Sequence, residues 1–306
     1  MRKSGRNNQH RQPTWRANIQ KFKIKENSTL LNAAISTLKD HSASKVKSML
    51  KHHQLAVGGV PSSQFDRPVN CGDELWVNFA GAFNIFSHPK IKLIYEDNDI
   101  MVVDKGYGML STAAGGDTKS DTVFNVLRRY VKAGSEHARV YVVHRLDRDT
   151  SGLMILARTA KAREVMLTNW NKIILERKYE AIVEGRVAED RGLVQNYLYD
   201  ADNYEVKSSE NPDEGVLAKT RYRTLDRGSH YSRVELSLNT GHKNQLRVHM
   251  KDLGHPICGD RKYGGHSNPL HRLALHATKL GFTHPITAEE MHFESPVPEN
   301  FLSLIE

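Results

Sequence analysis

A charged segment near the middle of the chain holds the residues best suited to chemistry. It is His144-Arg145-Leu146-Asp147-Arg148-Asp149-Thr150-Ser151-Gly152, and it lies between the apolar runs 140–143 and 153–157. Apolar runs of this length next to a polar turn are typical of buried strands. A loop between two strands positions catalytic side chains well, because the strands fix its geometry. A plain hairpin turn with solvated charges is the alternative interpretation.

Several reaction types do not fit the spacing of these residues. Asp147 and Asp149 are too close in sequence to flank a sugar at the roughly 5 to 9 Å of a glycosidase pair. Ser151 lies near His144 but lacks the G-x-S-x-G turn of many hydrolases. The sixteen histidines form no metal-binding motif, and no Walker or dinucleotide-binding glycine pattern occurs. A single catalytic carboxylate without metal or cofactor fits best.

The segment 144–152, with the apolar strand after it, resembles the His-Arg-Leu-Asp-x-x-Thr-Ser-Gly signature of the RluA-type pseudouridine synthases. Further segments in the same order are similar to that family, and together they span about residues 90 to 302. They are Leu93-Ile94-Tyr95-Glu96-Asp97 with Val103-Asp104-Lys105, Arg177-Lys178-Tyr179-Glu180-Ala181, Asn244-Gln245-Leu246-Arg247-Val248-His249, Gly254-His255-Pro256-Ile257, Gly259-Asp260-Arg261-Lys262-Tyr263-Gly264, Arg272-Leu273-Ala274-Leu275-His276-Ala277 and His284-Pro285.

The resemblance implies an enzyme that isomerises uridine in RNA to pseudouridine without a cofactor. Asp147 would be its essential carboxylate, attacking the anomeric carbon or removing a sugar proton; the sequence leaves both open. Tyr179 would stack on the uracil and take the carbon 5 proton, and Arg247 would be the charge partner of Asp147. Arg145 and Arg148 would hold RNA phosphate or pack structurally.

The chain departs from the family pattern at three places. Lys105-Gly106-Tyr107-Gly108 stands where the family has Lys-Pro-x-Gly, and Arg177 replaces a lysine. The segment 240–245 carries His242 and Asn244 where the family has arginine and histidine. These changes put phosphate contacts from that loop in question, although Lys243 can restore the lost positive charge.

Composition favours a polyanionic partner and a reducing compartment. The 306 residues carry a formal charge of +9, and residues 1–25 contain eight Lys or Arg and no acid. This run predicts a disordered arm, assigned to residues 1–17, that contacts phosphate or only aids solubility. Cys71 and Cys258 are too few for a disulfide framework. Since no apolar run of about 18 residues or signal peptide occurs, we expect a cytoplasmic monomer that does not bind membranes.

Residues 18–80 predict a small separate unit, followed by a linker at 81–90. Ser28 is the predicted N-cap of a first helix, and Ser42 or Ser44 opens a second one. Strands at 55–57 and 73–77 flank a glycine turn. The arrangement resembles the αL-type RNA-binding module of the fourth small-subunit ribosomal protein. The outward-facing lysines of the second helix then contact RNA, or are simply solvated; they are Lys45, Lys47 and Lys51.

The remaining residues, 91–306, predict an α+β catalytic domain with a mixed, mainly antiparallel sheet around a central cleft. Helices are expected at about 121–132 and 159–171, and strands at 172–185, 216–226 and 232–238. Loop tracts are expected at 202–203 and 208–212. Large-subunit ribosomal RNA is the leading substrate that the resemblance implies. Transfer RNA, or a non-catalytic role in RNA binding or ribosome assembly, is the alternative.

Overall fold

The computed structural model describes residues 19–58, 60–83, 86–134, 137–202 and 205–306. The chain divides into two compact units. The first contains the residues up to 87 together with 96–98 and 130–138, and the second contains the rest. The predicted basic arm at 1–17 lies outside the described residues. The predicted domain limits therefore stay predictions.

Two helices of the first unit begin at side-chain caps. Helix α1 (Leu30–Thr37) follows Thr29, whose hydroxyl accepts a hydrogen bond from the Asn32 N–H. The predicted cap Ser28 is wrong by one residue, because the helix begins at Leu30 and the hydroxyl of the preceding Thr29 makes the capping contact. Helix α2 (Ala43–Lys51) follows Ser42, which caps the Lys45 N–H. As predicted, α2 buries Val46, Met49 and Leu50 and exposes its three lysines.

Six short strands complete this unit. They are β1 (Ile19–Lys23), β2 (Ser28–Thr29), β3 (Leu55–Val57), β4 (Val60–Pro61), β5 (Pro68–Val69) and β6 (Glu74–Asn78). Four of them form a sheet in the order β1-β6-β3-β4, and β2 pairs with β5. Strand β1 contains Lys21 and Lys23 of the basic run 1–25. Phe22 packs on the apolar core, and the Lys21 ammonium lies 3.9 Å from the Trp76 ring centre, so apolar contacts hold this strand in place.

An eleven-stranded sheet dominates the rest of the chain. Its strands are β7 (Ile91–Glu96), β8 (Ile100–Lys105), β9 (Tyr141–Val142), β10 (Ser151–Ala157), β11 (Ile174–Glu184), β12 (Arg191–Asp200), β13 (Val206–Ser209), β14 (Val216–Arg227), β15 (Tyr231–Leu238), β16 (Leu275–Thr283) and β17 (Glu290–Glu294). The order is β13-β12-β14-β15-β11-β16-β10-β8-β7, with β17 beside β16 and β9 beside β10. Only β10 and β16 pair in parallel among the strand pairs described. The mixed, mainly antiparallel sheet is confirmed.

Five helices accompany this sheet. They are α3 (Val123–Gly134), α4 (Ala160–Thr168), α5 (Trp170–Ile173), α6 (Gln245–Asp252) and α7 (Glu299–Leu302). The helix predicted at 159–171 is divided at Asn169. The loop predicted at 208–212 is wrong at Ser208 and Ser209, which pair with β12. Among the helices of the described ranges, none is long and apolar enough to cross a membrane.

Packing around β10 fixes the segment that follows the charged loop. All seven residues of β10 are buried, and its apolar side chains share a core with α4 and β16. Gly152 has φ +112°, and a Cβ atom there would lie 2.3 Å from the Ala277 carbonyl oxygen. Only glycine therefore allows β10 to lie against β16 at this point. The glycine of the charged segment thus serves the fold.

Candidate active site

A cavity of about 190 Å³ in the second unit brings the three predicted catalytic residues together. We call it the Asp147 cavity. Asp147 comes from the loop between β9 and β10, Tyr179 from β11, and Arg247 from α6. Arg145 and Lys243 also line it. Helix α6 is fixed because it packs on a small apolar cluster with three strands, consisting of Leu198, Val206, Ala218, Val248 and Tyr263.

Two buried side chains hold the loop on both sides of Asp147. The Ser111 hydroxyl donates to the Leu146 carbonyl at 2.6 Å and accepts from the Leu146 N–H at 3.1 Å. The fully buried Lys105 ammonium donates to the Arg148 carbonyl at 3.0 Å. The backbone next to Asp147 is therefore anchored before and after it. Neither supporting residue was predicted as part of the site, and nothing in the sequence marks Ser111.

Burial and nearby cations act on the Asp147 carboxyl in opposite directions. Burial raises its pKa, while the positive charges of Arg247, Arg145 and Lys105 lower it, and the net pKa lies above the ordinary value. No residue in the described ranges donates a hydrogen bond to this carboxylate, so its oxygens are free for a substrate. The three cations favour the ionised form that attack or proton removal requires.

Arg247 makes its hydrogen bonds to Asp260 and Asn244, while its charge acts on Asp147. Its Nε and Nη2 atoms each lie 2.7 Å from an Asp260 carboxylate oxygen. Such a bidentate pair fixes the plane of the guanidinium. Burial lowers the pKa of Arg247, but the hydrogen bonds and charge of Asp260 outweigh burial and raise the pKa overall. Arg247 thus acts on Asp147 through its charge, without a hydrogen bond, and Asp260 positions it.

Asn244, one of the departures from the family pattern, has a clear place beside Arg247. Its backbone is left-handed, with φ 55° and ψ 12°, a conformation that asparagine tolerates better than most residues. Its Oδ1 accepts from Arg247 Nη1 at 3.0 Å, and its Nδ2 donates to the Tyr263 hydroxyl at 3.0 Å. The asparagine therefore supports both the turn into α6 and the orientation of Arg247.

The neighbouring loop residues are bound to the protein itself. A ring nitrogen of His242 lies 3.1 Å from the Leu217 carbonyl oxygen. The Gln245 amide oxygen accepts from the His242 N–H at 3.1 Å. Lys243 pairs with Asp200 at 3.0 Å, and both side chains are largely exposed. Exposed pairs of this kind contribute little and exchange easily. An RNA contact by Lys243 stays a prediction.

Tyr179 is 5% exposed and has a cationic partner at its hydroxyl. Arg177 Nη2 donates to the Tyr179 oxygen at 3.2 Å. The Arg177 guanidinium also lies 5.6 Å from the Trp170 ring centre. The residue that replaces the family lysine therefore keeps a positive charge at the phenol oxygen. In the sequence, Arg177 was noted only as a departure from the family pattern. That departure is the signal that could have identified it as a residue of the site.

The other predicted RNA-binding residues belong to two different units. Arg145 and Arg148 are both exposed, and Arg145 lines the Asp147 cavity. Arg148 donates two hydrogen bonds to the Asp149 carboxylate, at 3.1 and 3.2 Å. The α2 lysines belong to the first unit. Their RNA contacts stay predictions.

The two polar residues considered for hydrolase chemistry are structural. Burial and the charge of Arg177 lower the pKa of His144 to about 3, and its Nε2 accepts the Ile155 N–H at 2.9 Å. Ser151 is buried and lies 2.8 Å from His276. Ser151 is not among the residues that line the Asp147 cavity. His144 is thus neutral and holds the loop against β10.

Comparisons with known proteins identify the family of this chain. The family model for RNA pseudouridylate synthase matches residues 99–252. The RNA pseudouridine synthase YlyB of Bacillus subtilis is 33% identical over 277 residues, which cover 89% of this chain and 91% of that protein. Ribosomal large subunit pseudouridine synthase D of Pasteurella multocida is 32% identical over 284 residues, with 87% of each chain covered.

Solved structures show the same fold. The human RNA pseudouridylate synthase domain containing 1 is similar with a TM-score of 0.56 and 22% identity, over 72% of this chain and 89% of that chain. The human RNA pseudouridylate synthase domain containing 4 is similar with a TM-score of 0.55 and 23% identity, over 69% of this chain and 90% of that chain. With a family model over half of the chain and relatives along nearly all of it, this chain belongs to the RNA pseudouridine synthase family.

Proposed function

We propose that the chain uses Asp147 as its catalytic carboxylate to convert specific uridines to pseudouridine in large-subunit ribosomal RNA. One observation carries the proposal: the Asp147 carboxylate has free oxygens in a cavity that Tyr179 also lines, with the fixed charge of Arg247 beside it. A carboxylate held in this way, with a base-sized aromatic ring near it, suits a reaction at the sugar carbon of a nucleotide.

The reaction is an isomerisation with balanced atoms. The bond between uracil nitrogen 1 and the anomeric carbon breaks, the base turns, and carbon 5 bonds to the anomeric carbon. Carbon 5 then loses its proton, and nitrogen 1 gains one. Asp147 either attacks the anomeric carbon to form an ester that carbon 5 later displaces, or removes a sugar proton to give a glycal and returns that proton when carbon 5 bonds. The cations around Asp147 stabilise its ionised form in both routes.

Tyr179 has two roles in this proposal. Its ring provides a face for the uracil, and its oxygen accepts the carbon 5 proton late in the reaction. The Arg177 hydrogen bond at 3.2 Å supports the second role, because a nearby cation stabilises a phenolate. A uridine must leave its stack to enter the cavity, at a cost of a few kcal/mol. Stacking on an aromatic ring offsets about 1 to 3 kcal/mol of that cost.

Within the proposal, residues 18–80 act as an RNA-binding module. They have their own apolar core, formed by both helices and the strands beside them. The exposed face with Lys45, Lys47 and Lys51 suits contact with phosphates. The same proposal places the protein in the cytoplasm, where ribosomal RNA is modified.

The choice of RNA is supported by relatives that are named for the large ribosomal subunit. The test is to map pseudouridines in all RNA from cells with and without the gene. We expect one or more sites in large-subunit ribosomal RNA to be lost and restored by the wild-type gene. Loss of sites only in transfer RNA would replace the proposed substrate, and an unchanged map would reject the function.

A further inference from the structure

A second cavity of about 470 Å³ lies beside the Asp147 cavity and shares Asn244 and Arg247 with it. We call it the cationic cavity. Its positively charged lining residues are Arg148, Arg247, Arg261, Lys262 and Arg272, and its one lining carboxylate is Asp149. Asp149 pairs with Arg148, and Asp260 pairs with Arg247. Positive charge therefore exceeds negative charge in the walls of this cavity.

Arg272 is the most informative of these cations. Its guanidinium lies over two aromatic rings, 4.9 Å from the Tyr107 ring centre and 5.0 Å from the Phe301 ring centre. Its hydrogen bonds go to neutral oxygens, the Ser151 hydroxyl at 2.6 Å and the Leu273 carbonyl at 3.2 Å. No ion pair of Arg272 with a carboxylate occurs within the described ranges. Burial lowers its pKa, so the charge is partly desolvated and not fully compensated.

A half-buried arginine without an ionic partner keeps part of the cost of desolvating its charge unless an anion compensates that charge. The two rings and the Ser151 hydroxyl fix the orientation of Arg272, which is the preorganisation that an anion site needs. His271, the residue before it, is held in the left-handed region with φ 52°. Such strained residues persist where the surrounding structure demands them, often at ligand sites. The exposed Arg261 adds a second cation at the same cavity.

We propose that the cationic cavity binds one unit of the RNA backbone next to the target uridine, with its phosphate on Arg272 and Arg261. The site rests on the proposed function, because its RNA is the strand whose uridine enters the Asp147 cavity. Arg272 also donates to Ser151, four residues after Asp147. A bound phosphate thereby sets the register of the strand against the catalytic loop.

The test compares a short oligouridylate with the same oligomer carrying uncharged methylphosphonate linkages. We expect Arg272→Gln to weaken binding of the charged oligomer about 10- to 100-fold, the range for a lost charge-assisted hydrogen bond. For the charged oligomer, the slope of log affinity against log salt concentration should fall in magnitude by about 0.7. Binding of the uncharged oligomer should not change. Arg191→Gln is the matched control, because this exposed arginine lines none of the cavities described.

Equal loss for both oligomers would overturn the proposal, because Arg272 would then act only on folding. No preference of the wild-type protein for the charged oligomer would overturn it too. If Arg272→Gln does not fold, the exposed Arg261→Gln decides, with the same selective loss expected. These assays need no turnover. Failure of the wild-type protein to form pseudouridine would reject the proposed function separately.

Discussion

Replacing Lys105 by methionine tests whether a buried cation anchors the catalytic loop. The ammonium donates to the carbonyls of Gly106, Met109 and Arg148 at 3.1, 2.9 and 3.0 Å. Methionine fills similar space but leaves these acceptors unpaired. Each unpaired buried carbonyl costs about 1 to 3 kcal/mol, or about 3 to 9 kcal/mol in total.

The opposing term is the burial of the charge itself. Burial lowers the pKa of Lys105 from 10.5 to about 8, and each unit corresponds to about 1.4 kcal/mol. The substitution therefore relieves about 3 kcal/mol. Subtracting this relief from the middle of the range leaves a net loss of about 3 kcal/mol in the free energy of unfolding.

The same pKa predicts how the loss depends on pH. The folded-state pKa of Lys105 lies below its unfolded value, so the unfolded chain binds more protons between pH 8 and 10.5. The stability of the wild-type protein therefore rises with pH in this window, relative to the variant. The destabilisation caused by Lys105→Met should grow accordingly. Urea unfolding at pH 7 and pH 9.5 measures both effects.

The control for this experiment is Lys279→Met, which removes a surface ion pair with Glu294 at 2.9 Å. It should cost no more than about 1 kcal/mol. In Lys105→Met, kcat should fall more than KM changes, since the backbone beside Asp147 loses an anchor. A loss below about 1 kcal/mol at pH 7, or one that shrinks as pH rises, would refute the reasoning.

Four further outcomes can be checked on single variants. Arg247→Met should move the acid limb of the pH–rate profile upward, because a cation that lowers the pKa of Asp147 is lost. Asp260→Asn should move that limb downward and lower the free energy of unfolding, measured in urea, by about 3 to 5 kcal/mol. If the Arg247 and Asp260 variants moved the limb in the same direction, the charge assignment would be contradicted. Tyr179→Phe should keep RNA affinity while Tyr179→Leu loses it, and equal affinities would reject stacking. Gly152→Ala should prevent folding of the second unit, because the added Cβ atom would lie 2.3 Å from the Ala277 carbonyl oxygen. Circular dichroism measures this loss of structure, and a stably folded alanine variant would reject this role of Gly152.

Much of the fold could be predicted because its cause is local. The apolar spacing of α2 and its Ser42 cap are written in adjacent residues, as are the buried run of β10 and the strand at 174–184. The cap of α1 was predicted one residue too early, because Ser28 and Thr29 both carry a hydroxyl. The folded backbone determines that the Thr29 hydroxyl accepts the Asn32 N–H. Strand β13 was missed because its serines are common in loops.

The sequence could bring the three candidate catalytic residues together, but it could not identify their hydrogen-bond partners. Asp147, Tyr179 and Arg247 were found from motif resemblance, and they line one cavity. The bidentate Asp260 contact could not be foreseen, because it depends on how α6 lies over the loop after residue 258. Ser111 and Lys105 support the catalytic loop from distant positions in the sequence. Such contacts follow from the tertiary fold, which no local spacing encodes.

The most direct test of the central claim is single-turnover conversion of large-subunit ribosomal RNA by Asp147→Asn, with Asp149→Asn as its neighbouring control. The amide keeps the shape of the side chain but cannot act as a nucleophile or base, so Asp147→Asn should bind RNA and form no pseudouridine. Asp149→Asn should keep most of its saturating rate. Pseudouridine formation by Asp147→Asn at the wild-type rate would contradict the account.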